Sequence, residues 1–320
     1  MEPAPNFPAQ PLKDRLEQAV AEAARSEGPD TVALMRVLIE APDEASARDA
    51  LVRRIAVHQA TGDRAGVERL LRLQDLWHSQ PQAWQVVHNT ISGITHDRVD
   101  PSPDGTLRYW ADAFDRLAAA SPEASVALYS LGSPDLLRAA TDEIVQLLQS
   151  WDLIGPDRDA VDLGCGIGRF LESLAPLCRS LVGLDISERM VAEAGRRCRS
   201  LGNISVATTD GHDLAALADG SADFVLAADV FPYLVQAGGS LPERHIAEFA
   251  RILRPGGAAL ILNYSYRGDN DRDRRELAAH SAASGLRVVR NGVSTLTLWD
   301  GVAFHLAKPA ASEAGDRMLC

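Results

Sequence analysis

Val161-Asp-Leu-Gly-Cys-Gly-Ile-Gly-Arg-Phe170 runs an apolar strand-like stretch directly into glycines at Gly164, Gly166 and Gly168. A loop lacking Cβ atoms at alternate positions lets backbone approach a ligand where any side chain would collide. The unit reads as strand, tight turn and helix, and the rest of the chain can be organised around it.

Downstream, short apolar runs at Ser180 to Leu184, Ile204 to Ala207, Phe224 to Ala228 and Ala258 to Leu262 follow Ala160 to Leu163 and alternate with helical segments. Alternating strand and helix implies a parallel sheet covered on both faces. Leu286 to Arg290 and Thr295 to Leu306 are separated only by a turn around Asn291-Gly292, which reads as an antiparallel hairpin closing the sheet.

Upstream the period is helical. Leu12, Leu16, Ala19, Val20 and Ala23 share one face, as do Trp84, Val87, Ile91 and Ile94. Breaks at Gly28-Pro29, Pro42-Asp43, Thr61-Gly62-Asp63 and Gln80-Pro81 divide this region into helices. Gly62 to Trp84 resembles a single tetratricopeptide-type hairpin, one unit and not an array. A further helix carries Leu107, Trp110, Phe114 and Leu117 on one face, and another runs from Pro134 through Leu148. The expected division is a flexible tail at 1–11, an all-α domain at 12–125, a Rossmann-like α/β domain at 126–308 and a second flexible tail at 309–320.

Composition narrows the function. The 320 residues carry a formal net charge of −12, which disfavours nucleic acid and anionic membranes as partners. Lys13 and Lys308 are the only lysines, and neither lies in a phosphate-loop context. Cys165, Cys178, Cys198 and Cys320 show neither zinc-site spacing nor a disulfide framework, so no metal is expected and a reducing cytoplasm fits. No run approaches the ~18 apolar residues of a membrane helix.

Asp185 ends the second strand, Leu181 to Ile186, where a carboxylate can accept both hydroxyls of a ribose. Asp210, in Thr209-Asp-Gly-His-Asp-Leu214 after the third strand, supplies an acid near the place of an adenine amino group. A dinucleotide fingerprint would want glycine at position 169, which is Arg169, so an NAD-dependent oxidoreductase is disfavoured.

Taken with Arg251-Ile-Leu-Arg-Pro-Gly-Gly257, these segments stand in the order and spacing of class I S-adenosylmethionine-dependent methyltransferases, which residues 135 to 308 resemble. The resemblance implies S-adenosylmethionine as cofactor, with its methionine part on Gly164, Gly166 and Gly168. It gives the ribose to Asp185 and the adenine to Asp210 and the backbone of Gly211. Asp162 would anchor the loop and the cofactor's amino group, and Met190 would pack on the adenine face. The resemblance does not cover the helical N-terminal third.

Methyl transfer from a sulfonium is an in-line displacement, so such an enzyme chiefly aligns donor and acceptor in a dry pocket. The acceptor is expected beyond strand four, in Ala228 to Leu234, a segment unlike the N/D-P-P-Y/F motif of enzymes that methylate planar amines of DNA bases or glutamine. Asp229, Tyr233 and His245 are the candidate catalytic residues. Phe231, Tyr264, Tyr266 and Arg267 are the candidate acceptor contacts, against packing for the aromatic residues and ion pairing with Asp269 or Asp271 for Arg267. The expected function is methylation of a small-molecule oxygen, nitrogen or carbon. The alternative is a helical interaction module fused to a cofactor-binding domain with minor or lost catalysis, its helices serving a homodimer or a protein partner.

Overall fold

The computed structural model describes residues 12–94, 100 and 102–310. The tail expected at 1–11, and all but the first two residues of that expected at 309–320, lie outside the described residues.

Helices α1 (Leu12–Arg25), α2 (Asp30–Glu40), α3 (Glu44–Thr61), α4 (Arg64–Ser79) and α5 (Ala83–Ser92) form the N-terminal unit. Their ends are set by local chemistry. Asp43 accepts from the Ser46 N–H at 2.7 Å to start α3, and Gly62 ends it in the left-handed region at φ 72°. Asp63 then caps α4 through the Gly66 N–H at 3.0 Å. Leu16, Val20, Leu34, Val37, Leu51, Leu70, Leu73 and Trp77 bury a common core. The tetratricopeptide-type hairpin is not formed. The apolar face of α4 turns to α1, α2 and α3, while α5 packs on α2.

Helices α6 (Pro103–Ala120), α7 (Pro122–Val126) and α8 (Pro134–Ser150) lead into the sheet, each opened by a serine cap and a proline in the first turn. The strands are β1 (Asp159–Leu163), β2 (Ser180–Asp185), β3 (Ile204–Thr208), β4 (Ala222–Ala228), β5 (Leu253–Leu262), β6 (Arg287–Ser294) and β7 (Val302–Ala307). They lie in the order β3-β2-β1-β4-β5-β7-β6, with β1 to β5 parallel and β7 antiparallel to both β5 and β6.

Between the strands come α9 (Arg169–Leu174), α10 (Glu188–Cys198), α11 (Phe231–Ala237), α12 (Leu241–Ile252) and α13 (Asn270–Ala283). Alternation along the strands sorts the two faces. Phe224 and Leu226 of β4, with Leu260 and Leu262 of β5, join the core under α8, α9 and α10. Val225, Ala227, Ala259 and Ile261 join the core under α11, α12 and α13.

The hairpin closes differently from the expectation. Asn291 and Gly292 lie inside β6, where the register against β7 shifts and Gly292 takes φ 73°, and the connection is residues 295–301. The left-handed glycine serves a bulge rather than a hairpin turn. Helix α6 packs across α10 and α11, so a helix read from sequence as part of the N-terminal domain also roofs the sheet's ligand edge.

Candidate functional site

Strand order reverses between β1 and β4, and ligands of open α/β sheets bind beyond the carboxyl ends of the strands at such a point. The glycine loop follows β1 there. Gly164 and Gly166 hold φ of 70° and 52°. A Cβ on the first would strike Val230, and one on the second would come within 2.6 Å of Val126. Asp185, buried at the end of β2, ties the loop down. One carboxylate oxygen accepts from the Gly166 N–H at 2.8 Å, the other from the Ser187 N–H at 2.9 Å. Burial pushes this carboxyl up, against those backbone donors.

A cleft of about 790 Å³, its open mouth included, runs from this loop past Asp185, Met190 and Gly211 to Asp229, Tyr233 and His245. Asp162 lies beneath it, 1% exposed, with no hydrogen-bond partner for either carboxylate oxygen. Burial pushes its carboxyl up to about 8, relieved in part by Arg169 and aggravated by Asp185. Loop anchoring therefore falls to Asp185 rather than Asp162. A buried acid without a donor, beside a loop that excludes Cβ atoms, is complementary to the ammonium and main-chain atoms of an amino-acid moiety. These residues fit S-adenosylmethionine.

Asp210 is not brought into the cleft. It is exposed, and its carboxylate accepts from the His212 N–H at 2.9 Å, closing its own turn, while Thr209 and Gly211 line the wall. His245 does face the cleft, 1% exposed, with Nδ1 2.9 Å from the Leu241 carbonyl. A carbonyl only accepts, so Nδ1 carries the proton. Burial lowers the ring's pKa and leaves it neutral with Nε2 as an acceptor.

A second cleft, about 1460 Å³ with its mouth, shares Phe114, Val126, Asp229 and Tyr233 with the first and extends to Arg36 on α2 and Trp299 before β7. Asp229 and Asn263 follow neighbouring strands β4 and β5, and both take left-handed backbone, at φ 62° and 61°. Strained non-glycine backbone of this kind gathers at functional sites. The Asn263 amide donates to Asp229 Oδ1 at 3.0 Å. Burial pushes the Asp229 carboxyl up, against hydrogen bonds from Tyr266 and Asn263.

Tyr233 is ringed by Trp110 at 4.6 Å, Phe114 at 5.2 Å and Tyr266 at 6.0 Å between centroids. Tyr266 is 61% exposed, yet its hydroxyl reaches Asp229 and Tyr233.

Three expected acceptor contacts lie elsewhere. Phe231 and Tyr264 are buried against each other at 5.6 Å and belong to the core under α11 and α12, because the first turn of α11 and the end of β5 point inward there. Arg267 is held by Asp273 and Glu276, each at 2.6 Å, partners one helical turn beyond the Asp269 and Asp271 expected from sequence. Asp273 is 3% exposed, so the guanidinium is committed to neutralising it.

Several wall residues escaped the sequence reading. Leu107 and Phe114 on α6, Val126 on α7 and Trp299 come from segments far from the motifs. The helical face that Leu107 and Phe114 share was visible, but not the surface it covers. Asp115 on α6 accepts from the Ser187 hydroxyl at 2.5 Å and from the Arg189 N–H at 3.0 Å, fastening α6 to the turn after Asp185.

Comparison with known proteins agrees with this geometry. The family described as a methyltransferase domain matches residues 161–261. An uncharacterized 37.1 kDa protein in a Streptomyces fradiae transposon is 31% identical over 185 residues, covering 51% of this chain and 50% of that one. Demethylmenaquinone methyltransferase of Tropheryma whipplei is 31% identical over 108 residues, covering 34% and 42%. The chain thus spans half or less of the length of these curated relatives. The solved phosphoethanolamine N-methyltransferase 1 of Haemonchus contortus shares the fold at TM-score 0.52 and 18% identity, over 66% of this chain and 50% of that one. The C-terminal half is a class I S-adenosylmethionine-dependent methyltransferase domain.

Proposed function

We propose that the whole chain methylates a small organic acceptor held between the α/β domain and the helical region, at an oxygen, nitrogen or carbon. One observation carries this reading: Asp229, a strained and partly desolvated acid, stands on the wall shared by the two clefts. S-adenosylmethionine would supply an electrophilic methyl group on a sulfonium whose charge disappears on transfer. Asp162 would hold its ammonium, Asp185 its ribose, and Gly164, Gly166 and Gly168 would admit its backbone. Asp229 would take the acceptor's proton as the new bond to carbon forms, a role suited to a carboxyl raised by burial. Tyr233 and Tyr266 would orient the acceptor and exclude water. His245, neutral, would be a hydrogen-bond acceptor in the cofactor wall.

The net charge of −12 supports a small molecule over nucleic acid. No helix among the described residues is long and apolar enough to cross a membrane.

Calorimetry with S-adenosylhomocysteine and transfer of labelled methyl to an acceptor panel test the proposal. Binding is expected, with Asp229→Asn leaving it intact and cutting transfer at least ~100-fold, the low end of general-base effects. Equal transfer by the Asp229→Asn variant would remove Asp229 from the chemistry.

A further inference from the structure

The second cleft has two ends. At the inner end stands Asp229, held by the Asn263 amide. At the outer end Arg36 Nη2 of α2 meets Asp300 Oδ2, before β7, at 2.7 Å. Arg36, Asp229 and Asp300 are the charged side chains on the described wall, and Arg36 is the only cation among them. One cation thus faces two acids on that wall, and the charge of Arg169 also reaches Asp229. Arg169 and Glu143 act on this region from behind Tyr129 with opposite charges. The Arg169 guanidinium is engaged by the Tyr129 and Thr141 hydroxyls at 3.4 and 3.3 Å, and Glu143 is bound to Thr297 and to the Leu298 N–H.

The sides of the cleft are flat. Tyr129 and Trp299 stack at 5.5 Å with planes 17° apart, and Phe114, Tyr233 and Tyr266 line the opposite approach. The strap bearing Trp299 and Asp300 is anchored to the helices by Glu143 and by the Thr31 hydroxyl, which donates to the Leu298 carbonyl at 3.0 Å. Acceptor reading is thereby divided between the sheet edge and α2.

We propose that this cleft takes an extended, flat acceptor that is neutral or cationic and turns away carboxylates and phosphates, and that Asp300 enforces this by masking Arg36. The inference rests on the methyltransferase reading for the word acceptor alone, because the charge preference belongs to the cavity. An anion entering would meet Asp229 and find the guanidinium engaged, whereas a hydroxyl or amine would donate to Asp229. Burial has already raised the Asp229 carboxyl, and Asp300 adds to that rise, as expected of two acids facing one cavity. The Arg36–Asp300 pair is largely exposed, with side chains 62% and 40% accessible, so either partner can be changed without disturbing the core.

The test uses 2-naphthol and its 6-aminomethyl and 6-carboxylate derivatives, titrated into the full chain in the presence of S-adenosylhomocysteine. Wild type is expected to bind the carboxylate at least tenfold more weakly than 2-naphthol, and the amine at least as well. Asp300→Asn, by freeing Arg36, should raise carboxylate affinity at least tenfold and leave 2-naphthol within twofold. Arg36→Gln should favour the amine further. Wild-type binding of the carboxylate equal to that of 2-naphthol, an equal shift of all three ligands in Asp300→Asn, or no binding of any of them would overturn the proposal. Failure of S-adenosylhomocysteine to bind would instead sink the methyltransferase reading, while the naphthol series still decides the charge preference.

Discussion

The two clefts meet at Asp229 but are built from different material. The first is centred on backbone and on one stretch of motifs, a loop of left-handed glycines after β1, Asp185 twenty-odd residues on and the Gly211 turn after β3, and is walled by side chains of α6, α7 and the segment after β4. The second is made of side chains drawn from α2, α5, α6, α7, the β5–α13 loop and the β6–β7 connection. Backbone geometry tolerates few sequences, because only glycine enters the left-handed region without strain. A side-chain wall can be assembled from many. The difference predicts that damage to the first cleft is severe and selective for the cofactor, whereas damage to the second is graded.

The largest effect should come from Gly164→Ala, whose new methyl group would strike Val230 at φ 70°. S-adenosylhomocysteine affinity is expected to fall at least ~100-fold, about 2.7 kcal/mol, while calorimetric binding of 2-naphthol stays within about twofold. A variant that loses both ligands equally would erase the distinction between the clefts.

Next comes Asp185→Ala, which removes the acceptor of the Gly166 and Ser187 N–H groups as well as the expected ribose contact. A loss of at least ~1.5 kcal/mol in cofactor affinity is expected with the circular dichroism unchanged. Unchanged affinity would remove Asp185 from the ribose site.

A pH series separates the halves in another way. Asp162, raised to about 8, holds its proton in the free protein at neutral pH, and pairing with an ammonium requires the carboxylate. Cofactor affinity should therefore rise with pH towards about 8 and then level, with a proton released below that pH. Titrations in buffers of different ionisation enthalpy read that proton. Asp162→Asn should abolish both the release and the slope, and a slope that survives would assign it to another group.

The smallest effect is expected at Arg267, where sequence placed an acceptor contact and the structure places the partner of buried Asp273. Arg267→Gln should leave kinetic constants within about twofold and lower stability by roughly 2–3 kcal/mol, read as a lower denaturant midpoint. A rise in the acceptor KM without loss of stability would return Arg267 to the site.

These contrasts also explain what was legible in the sequence. Glycine spacing, a strand-terminal acid and alternating apolar runs are local patterns, and they carried the parallel sheet and the first cleft. Phe231 and Tyr264 misled because an aromatic residue after a strand looks the same whether it turns to the cleft or to the core, and here they pack against each other in the core. Asn291-Gly292 misled because a left-handed glycine serves a bulge as well as a turn. Trp299 and Arg36 carried no local signal at all. Their meaning arises only when the β6–β7 strap meets α2, contacts separated by more than 260 residues.

The fastening of α6 has a consequence for how the chain is made. Asp115 precedes its partner Ser187 by 72 residues, so at roughly 5–20 residues per second the ribosome keeps them apart for some 4–14 s. Through that interval Phe114 has no Tyr233 to pack on, and the roof of the ligand edge is finished before the walls exist. A slow codon between the two would lengthen that interval without changing any residue of the cofactor site.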